Sequence, residues 1–307
     1  MPEQDSVRDR YSSPTYLANY LAVEWGDVLF PGGLSEGEWV GPRDPYLRPV
    51  DPTSVGRERV KKLRELHAPG VFYQEAAQQI FQWCSPKRPL KICDIGGSTG
   101  RLMYELNKLF KNAPPLEELL LVEQSATFCQ WARRLLVSGS ESEWWAPRGD
   151  SDQEWWVPFP RYPERAHFAR VDVKSLRDRL PILSNLRICC GLGEETPRPD
   201  EYFDVVVCLN VVDRHPNPTR FVREIARLVK VGGLLVLGSP FDFSAEFTPQ
   251  KSEWVHDLES LIPGGWPRTG KSELAYVHRI HRLRFPSYFC QLLGARRPQI
   301  TKADDGI

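Results

Sequence analysis

From Leu90 to Arg101 the chain passes from a short apolar run into an acid, Asp94, then through Gly96, Gly97, Ser98, Thr99 and Gly100. Leu102, Leu106, Leu109 and Phe110 follow at helical spacing. That order predicts a buried strand, a tight turn and a helix. An open α/β sheet builds a cofactor crevice in this way, at the carboxyl ends of its strands. Glycine permits positive φ or a close approach to a ligand, and the helix that follows offers unpaired N–H groups. The spacing excludes two kinds of cofactor loop. A P-loop needs a lysine and then Ser or Thr after its last glycine, and Gly100 is followed by Arg101 and Leu102. A dinucleotide fingerprint needs Gly-x-Gly-x-x-Gly, and Ser98 occupies the place of its second glycine.

What remains, Asp-x-Gly-x-(small)-x-Gly with the acid at the strand end, resembles the first motif of the class I S-adenosylmethionine-dependent methyltransferases. The resemblance implies that Asp94, Gly96, Gly97, Gly100 and Arg101 line an S-adenosylmethionine site, with Asp94 and the turn facing the methionine and ribose part. It also implies an α/β fold: a Rossmann-like, seven-stranded class I methyltransferase sheet with helices on both faces and an N-terminal helical cap.

Further along, Leu119 to Val122 reads as the second strand and ends on Glu123, an acid placed to accept hydrogen bonds from ribose hydroxyls. A helix from Ala126 to Val137 follows. Residues 138–166 mix prolines and glycines with two Glu-Trp-Trp copies, which predicts a long aromatic loop, either a substrate wall or surface packing. The third strand is either His167 to Val173 or Leu186 to Cys190; the first would bring Asp172 near the adenine, the second Glu194, and Asp172 is preferred.

A second strong signal is the continuous apolar run from Tyr202 to Leu209, expected of a parallel strand buried on both faces. It leads into Asn210-Val211-Val212-Asp213-Arg214-His215, then a helix from Thr219 to Val229 that Gly232-Gly233 ends, then a strand from Leu234 to Leu237. The tail predicts a helix at Trp254 to Leu261 and two strands, Leu274 to Ile280 and Tyr288 to Leu293. With no helix between them, these fit an antiparallel pair at the sheet edge. Before the first strand, apolar spacing predicts helices at Tyr16 to Val23, Val55 to Leu66 and Val71 to Cys84. The domain expectation is an extension and cap over 1–84 and a methyltransferase domain over 85–307, with 138–166 inserted.

Lys+Arg and Asp+Glu both number 40, so no net field draws the chain to nucleic acid or an anionic membrane. Its seven cysteines form no Cys-x-x-Cys pair, and the charged start, Met1 to Asp5, is unlike a signal peptide. A cytoplasmic protein with reduced thiols is expected. No metal site is expected at Cys189-Cys190 or at His278 and His281, which would lie on opposite faces of a strand.

Several segments resemble a narrower group. Asp94 to Arg101 with Tyr104-Glu105-Leu106 is similar to the first motif of the methyltransferase domain of ovothiol synthases, which also has small residues in place of the central glycine. Leu209 to Arg214 resembles the Asn-x-x-Asp-Arg segment shared by that domain and the DREV-type protein-histidine methyltransferases. Ser239-Pro240-Phe241, with Glu246 to Pro249 and Trp254, is similar to the segment after the fifth strand of the ovothiol group. Both families methylate an imidazole nitrogen, so the resemblance implies that Asn210 and Asp213 hold and orient an imidazole, in a small thiol-histidine or a histidine-containing peptide.

The chemistry is consistent with that pair. A carboxylate that accepts the other ring N–H fixes the tautomer and stabilises the developing cation. Alternatives stay open: Asp213 as a helix cap or an ion pair with Arg214, Asn210 on the cofactor's amino acid part, a methyltransferase of another small molecule or protein side chain, and a cofactor-binding interaction partner without turnover.

Overall fold

The computed structural model describes residues 70–137, 157–162, 165–169, 180–277 and 287–299, with Tyr20, Leu21, Glu24, Trp25 and Val28. The chain divides into two compact units: Met1–Gln74, Arg133–Ile182 and Ala275–Tyr288 form one, and Glu75–Ala132, Leu183–Leu274 and Phe289–Ile307 the other. The predicted helix at Val55 to Leu66 and the Glu-Trp-Trp copies lie outside the described residues.

The second unit is organised on β1 (Leu90–Ile95), β2 (Leu116–Glu123), β5 (Leu186–Cys190), β6 (Phe203–Leu209) and β7 (Val229–Ser239), with β8 (Arg268–Val277) and β9 (Ser287–Arg296) completing a seven-stranded sheet in the order β5-β2-β1-β6-β7-β9-β8. The strands β5, β2, β1, β6 and β7 pair in parallel, and β9 runs antiparallel to β7. This is the seven-stranded Rossmann-like sheet expected from the sequence, with its antiparallel tail.

Successive side chains on a strand point to opposite faces, so a strand apolar throughout must be covered twice. Every residue of β6 is buried. On one face Cys93, Ile95, Leu120, Val122, Val206 and Cys208 pack with Phe221, Val222 and Ile225 of α4 (Pro218–Arg227). Helix α4 starts where Asn217 Oδ1 accepts the Arg220 N–H at 2.8 Å and Pro218 takes the first helical position. Burial of Phe221 contributes about 2 to 3 kcal/mol, and its loss would leave a cavity between α4 and the sheet. On the other face Trp83, in α1 (Val71–Cys84), lies flat where a Cβ on Gly270 or Gly294 would collide with its ring. Helices α2 (Arg101–Leu109) and α3 (Ala126–Ala132) follow β1 and β2.

Four expectations are corrected. The third strand of the sheet is Leu186–Cys190, which pairs with β2. The preferred segment instead contributes β4 (Arg165–Ala169) to a two-stranded antiparallel ribbon with β3 (Val157–Tyr162). In a ribbon both strands are edges, which is why Pro158 and Pro160 are tolerated in what reads as loop. Asp172, whose proposed place depended on that preference, lies outside the described residues. Gly232 and Gly233 do not end a helix, since α4 stops at Arg227 and both lie within β7. There the register jumps from Phe203↔Val229 to Val205↔Leu234. Gly232 takes φ 75°, and a Cβ on Gly233 would press on the Lys230 and Asp204 carbonyl oxygens, so the pair makes a bulge. Finally, Trp254 to Leu261 is no α-helix. Two short 3₁₀ turns, Lys251–Glu253 and Leu258–Leu261, stand there.

Candidate functional site

The glycine turn takes the form that its residues dictate. Gly96 N–H donates to the Val122 carbonyl at 2.7 Å, holding the start of the turn against β2. Gly96, Ser98 and Gly100 have φ of 72°, 50° and 89°. Positive φ is ordinary for glycine but unusual for serine, so Ser98 sits in a conformation that its surroundings must enforce. The enforcing group is Glu123. Its Oε2 accepts the Ser98 N–H at 3.1 Å and its Oε1 accepts the Ser125 N–H at 2.8 Å. Glu123 thus ties the glycine turn to the start of α3, where Ser125 Oγ in turn accepts the Phe128 N–H at 3.2 Å.

Close approach is needed as well. A Cβ on Gly97 would come within 2.7 Å of Asp94 Oδ2 and 2.9 Å of Leu121 Cγ. A Cβ on Gly96 would strike Val211 Cγ2. Asp94 is buried at the end of β1, directly below the turn. Arg101 is buried in α2, where Nε and Nη2 donate to Glu105 Oε1 at 2.9 and 2.6 Å, so this guanidinium is engaged within its own helix.

Val211 connects the turn to the second signal. Strand β6 ends at Asn210, which bends the chain with φ 57°, while its N–H still donates to the Gly238 carbonyl at 2.8 Å. The next residues, Val212–Arg214, make one 3₁₀ turn. Asp213 is 0% exposed, and neither carboxylate oxygen has a hydrogen-bond partner among the described residues. Its nearest cation is Arg214, at 3.7 Å from Oδ2. That guanidinium is committed elsewhere: Nη1 donates to the Asp242 carbonyl at 2.8 Å and Nη2 to Asp242 Oδ2 at 2.7 Å. Burial raises the Asp213 carboxyl above the usual carboxylate range, with Arg214 and the nearby backbone N–H groups of Asp213 and Asp242 opposing the rise and the Asp242 charge adding to it. The capping alternative fails, because Asn217 caps α4.

The surrounding loops are held by His215. Its Nδ1 lies 3.0 Å from the Asn217 backbone nitrogen and 2.9 Å from the Asn217 carbonyl oxygen, and its Nε2 lies 3.1 Å from Glu194 Oε1. The ring stacks on Phe221, and Thr248 Oγ1 donates to the His215 carbonyl at 2.9 Å. Glu194 follows β5 in the 3₁₀ turn Gly193–Glu195 and faces His215. His215 is thus a structural link between the loops after β5, β6 and β7.

Within the second unit, then, the strand ends carry Asp94, the glycine turn, Glu123, Asn210 and Asp213 in one neighbourhood, with Arg101 turned to Glu105. Sequence reasoning missed Cys290 of β9, fully buried, whose Sγ lies 3.1 Å from Asn210 Oδ1. Eighty positions separate the two, and no local pattern connects them. Among the described residues there is no group of His, Cys, Asp and Glu that could hold a metal, and no helix is long and apolar enough to cross a membrane.

Comparison with known proteins finds partial likenesses. Residues 166–237 match the family described as "Methyltransferase domain". The chain is 32% identical over 79 residues to the uncharacterized methyltransferase YcgJ of Bacillus subtilis (strain 168), covering 26% of this chain and 30% of that protein. It is 35% identical over 100 residues to a ubiquinone biosynthesis O-methyltransferase of Maricaulis maris (strain MCS10), covering 32% and 34%. The match thus spans about a third of each curated relative. A solved structure of magnesium protoporphyrin IX methyltransferase from Synechocystis PCC 6803 with bound SAH has a TM-score of 0.48 and 13% identity, covering 96% of this chain and 99% of that one. The strand order with its antiparallel tail defines the fold class, and residues 166–237 are similar to a methyltransferase domain.

Proposed function

We propose that this chain is an enzyme that transfers a methyl group from S-adenosylmethionine to a ring nitrogen of an imidazole, in a small thiol-histidine or a histidine-containing peptide. The cofactor part rests on the cradle at the strand ends. Gly96 and Gly97 leave no room for side chains, and the Glu123 carboxylate stands where ribose hydroxyls need an acceptor. Asp94 and the turn would take the methionine side. When bound, S-adenosylmethionine supplies an activated methyl group on a sulfonium.

The acceptor part rests on one observation: Asp213 is a buried carboxylate with two unbonded oxygens. A native fold seldom leaves such a group unmatched. The partner that suits it donates one hydrogen bond and becomes cationic as the reaction proceeds. A neutral imidazole does both. Asp213 would accept the N–H of the ring nitrogen that does not react, leaving the other nitrogen's lone pair free and aimed. As the ring becomes charged, the same carboxylate stabilises it in surroundings that screen poorly. Asn210, at the open end of β6, would hold the acceptor beside it. The small residues at Gly96 to Gly100 and the Asn210 to Arg214 segment support the likeness to the ovothiol synthase domain and the DREV-type enzymes.

Incubation with methyl-labelled S-adenosylmethionine and a panel of histidine, mercaptohistidine and histidine-rich peptides tests this. Label should appear on an imidazole nitrogen of at least one acceptor. Label only on oxygen, sulfur or carbon acceptors would reject the imidazole assignment, and binding without transfer to any acceptor would indicate a cofactor-binding interaction partner.

A further inference from the structure

Strands β6 and β9 do not touch, because β7 runs between them. Leu209 pairs with Gly238 on one side of β7, and Gly238 pairs with Leu292 on the other. Yet the Cys290 thiol of β9 reaches the Asn210 carboxamide beyond β6, with Sγ 3.1 Å from Oδ1. Gly238 lies beside this contact. A Cβ there would lie 2.7 Å from Leu209 Cδ2 and touch Cys290 Sγ at 3.6 Å, so a side chain would press on Leu209, next to Asn210, and on the thiol.

The bond has a direction. Cys290 is fully buried, and burial together with the neighbouring Asp213 charge pushes its thiol upward, so the proton stays on sulfur and is available to donate. Asn210 Oδ1, at 3.1 Å, is a closer acceptor than the Gln291 carbonyl oxygen at 3.7 Å, and Nδ2 makes no hydrogen bond to any described residue. An asparagine amide can turn over, exchanging a donor end for an acceptor end. With Oδ1 held by the thiol, the donor end is the part of the amide left to meet another group, a few residues from the acceptor-only Asp213.

We propose that Cys290, acting over Gly238, is a positioning residue of the methyl-acceptor site: its thiol fixes Asn210 Oδ1 and so presents Nδ2 as a donor beside the Asp213 acceptor. The site then offers one donor and one acceptor, which suits a ring with a protonated nitrogen alongside a group that bears a lone pair. This rests on the reading that Asn210 faces the acceptor, but the amide's orientation can be measured without any acceptor.

The test uses the full chain saturated with S-adenosylhomocysteine, with the Asn210 side-chain NH2 signals assigned by their loss in Asn210→Asp. Wild type should show two sharp, well-separated amide proton signals. In Cys290→Ala and Cys290→Val they should broaden or move together, and in Cys290→Ser, which keeps a donor, they should stay sharp. Titrated imidazole, the probe, should shift the wild-type signals and bind about tenfold more weakly to Cys290→Ala, with Cys290→Ser within about threefold of wild type. Gly238→Ala should reproduce the Cys290→Ala spectrum. Unchanged amide signals in all three, Cys290→Ala, Cys290→Val and Gly238→Ala, would overturn the positioning role. Amide signals that respond as described while imidazole leaves wild type unaltered would retain that role and instead reject imidazole as the acceptor.

Discussion

Replacing Asp213 by Asn separates the carboxylate's chemistry from its shape. The two side chains are nearly isosteric, and no hydrogen bond to a described residue is lost, since neither Asp213 oxygen makes one. What disappears is a buried charge. A unit charge about 4 Å from the centre of a developing imidazolium is worth about 4 kcal/mol at an effective dielectric of about 20. Arg214, 3.7 Å from Oδ2, offsets part of this, but Asp242 neutralises it at 2.7 Å. A remainder of about 2 to 4 kcal/mol corresponds to a fall of about 30- to 1000-fold in methyl transfer. Affinity for S-adenosylhomocysteine should change less than about threefold, because Glu123 and the glycine turn are untouched. Initial rates with labelled cofactor and the best histidine acceptor, beside calorimetric titration with S-adenosylhomocysteine, read both quantities. Transfer by Asp213→Asn within about threefold of wild type would refute the role given to this carboxylate.

The same substitution should act oppositely on stability. With its folded pKa raised, Asp213 carries no charge penalty below the ordinary carboxylate value of about 3.9. Stability is lost as pH rises from there through the folded value. Asp213→Asn should therefore gain on wild type with rising pH, by about 1 to 3 kcal/mol at pH 7.5 in thermal unfolding, and little at pH 4. Gly96→Ala should weaken S-adenosylhomocysteine binding at least tenfold and cost about 1 to 2 kcal/mol, since the new methyl group meets Val211 at a φ of 72°. Calorimetry and thermal melts on one preparation measure both. Glu123→Ala frees the Ser98 and Ser125 N–H groups and should weaken binding by more than tenfold, whereas Glu123→Gln, retaining one acceptor, should fall between. In α2, Arg101→Met leaves Glu105 buried with Lys108 as its remaining described cation, and should lower stability by about 3 kcal/mol in denaturant unfolding.

The sequence was most legible where one physical cause dominated. Apolar runs mark β1 and β6 because both faces of a central parallel strand are covered, although Lys91 and Asp94 interrupt the first, and the glycines after β1 mark the turn. Where causes competed, the reading slipped. Strand β5 stands at the sheet's edge with Arg187 outward and only Leu186 fully buried, so it carries little of the apolar signal of β6. Gly232-Gly233 has the composition of a helix stop and the geometry of a strand bulge, and only the pairing with β6 distinguishes them. The candidate site shows the same division. Asp94, Glu123 and Asn210 are legible because each lies at or just past a strand end, and Asp213 because it stands in the turn that follows β6. That Asp213 is unbonded while Arg214 is held by Asp242 depends on the loop after β7, and the hold of Cys290 on Asn210 depends on a contact across three strands. Neither is a property of spacing along the chain.

Determination of the structure with S-adenosylhomocysteine and histidine bound bears most directly on methyl transfer to an imidazole. The sulfur should lie beside the Asn210–Asp213 segment, with Glu123 on the ribose hydroxyls and an imidazole N–H donated to Asp213. A sulfur that opens instead onto a surface remote from Asp213, or a histidine bound with its ring away from that carboxylate, would contradict it.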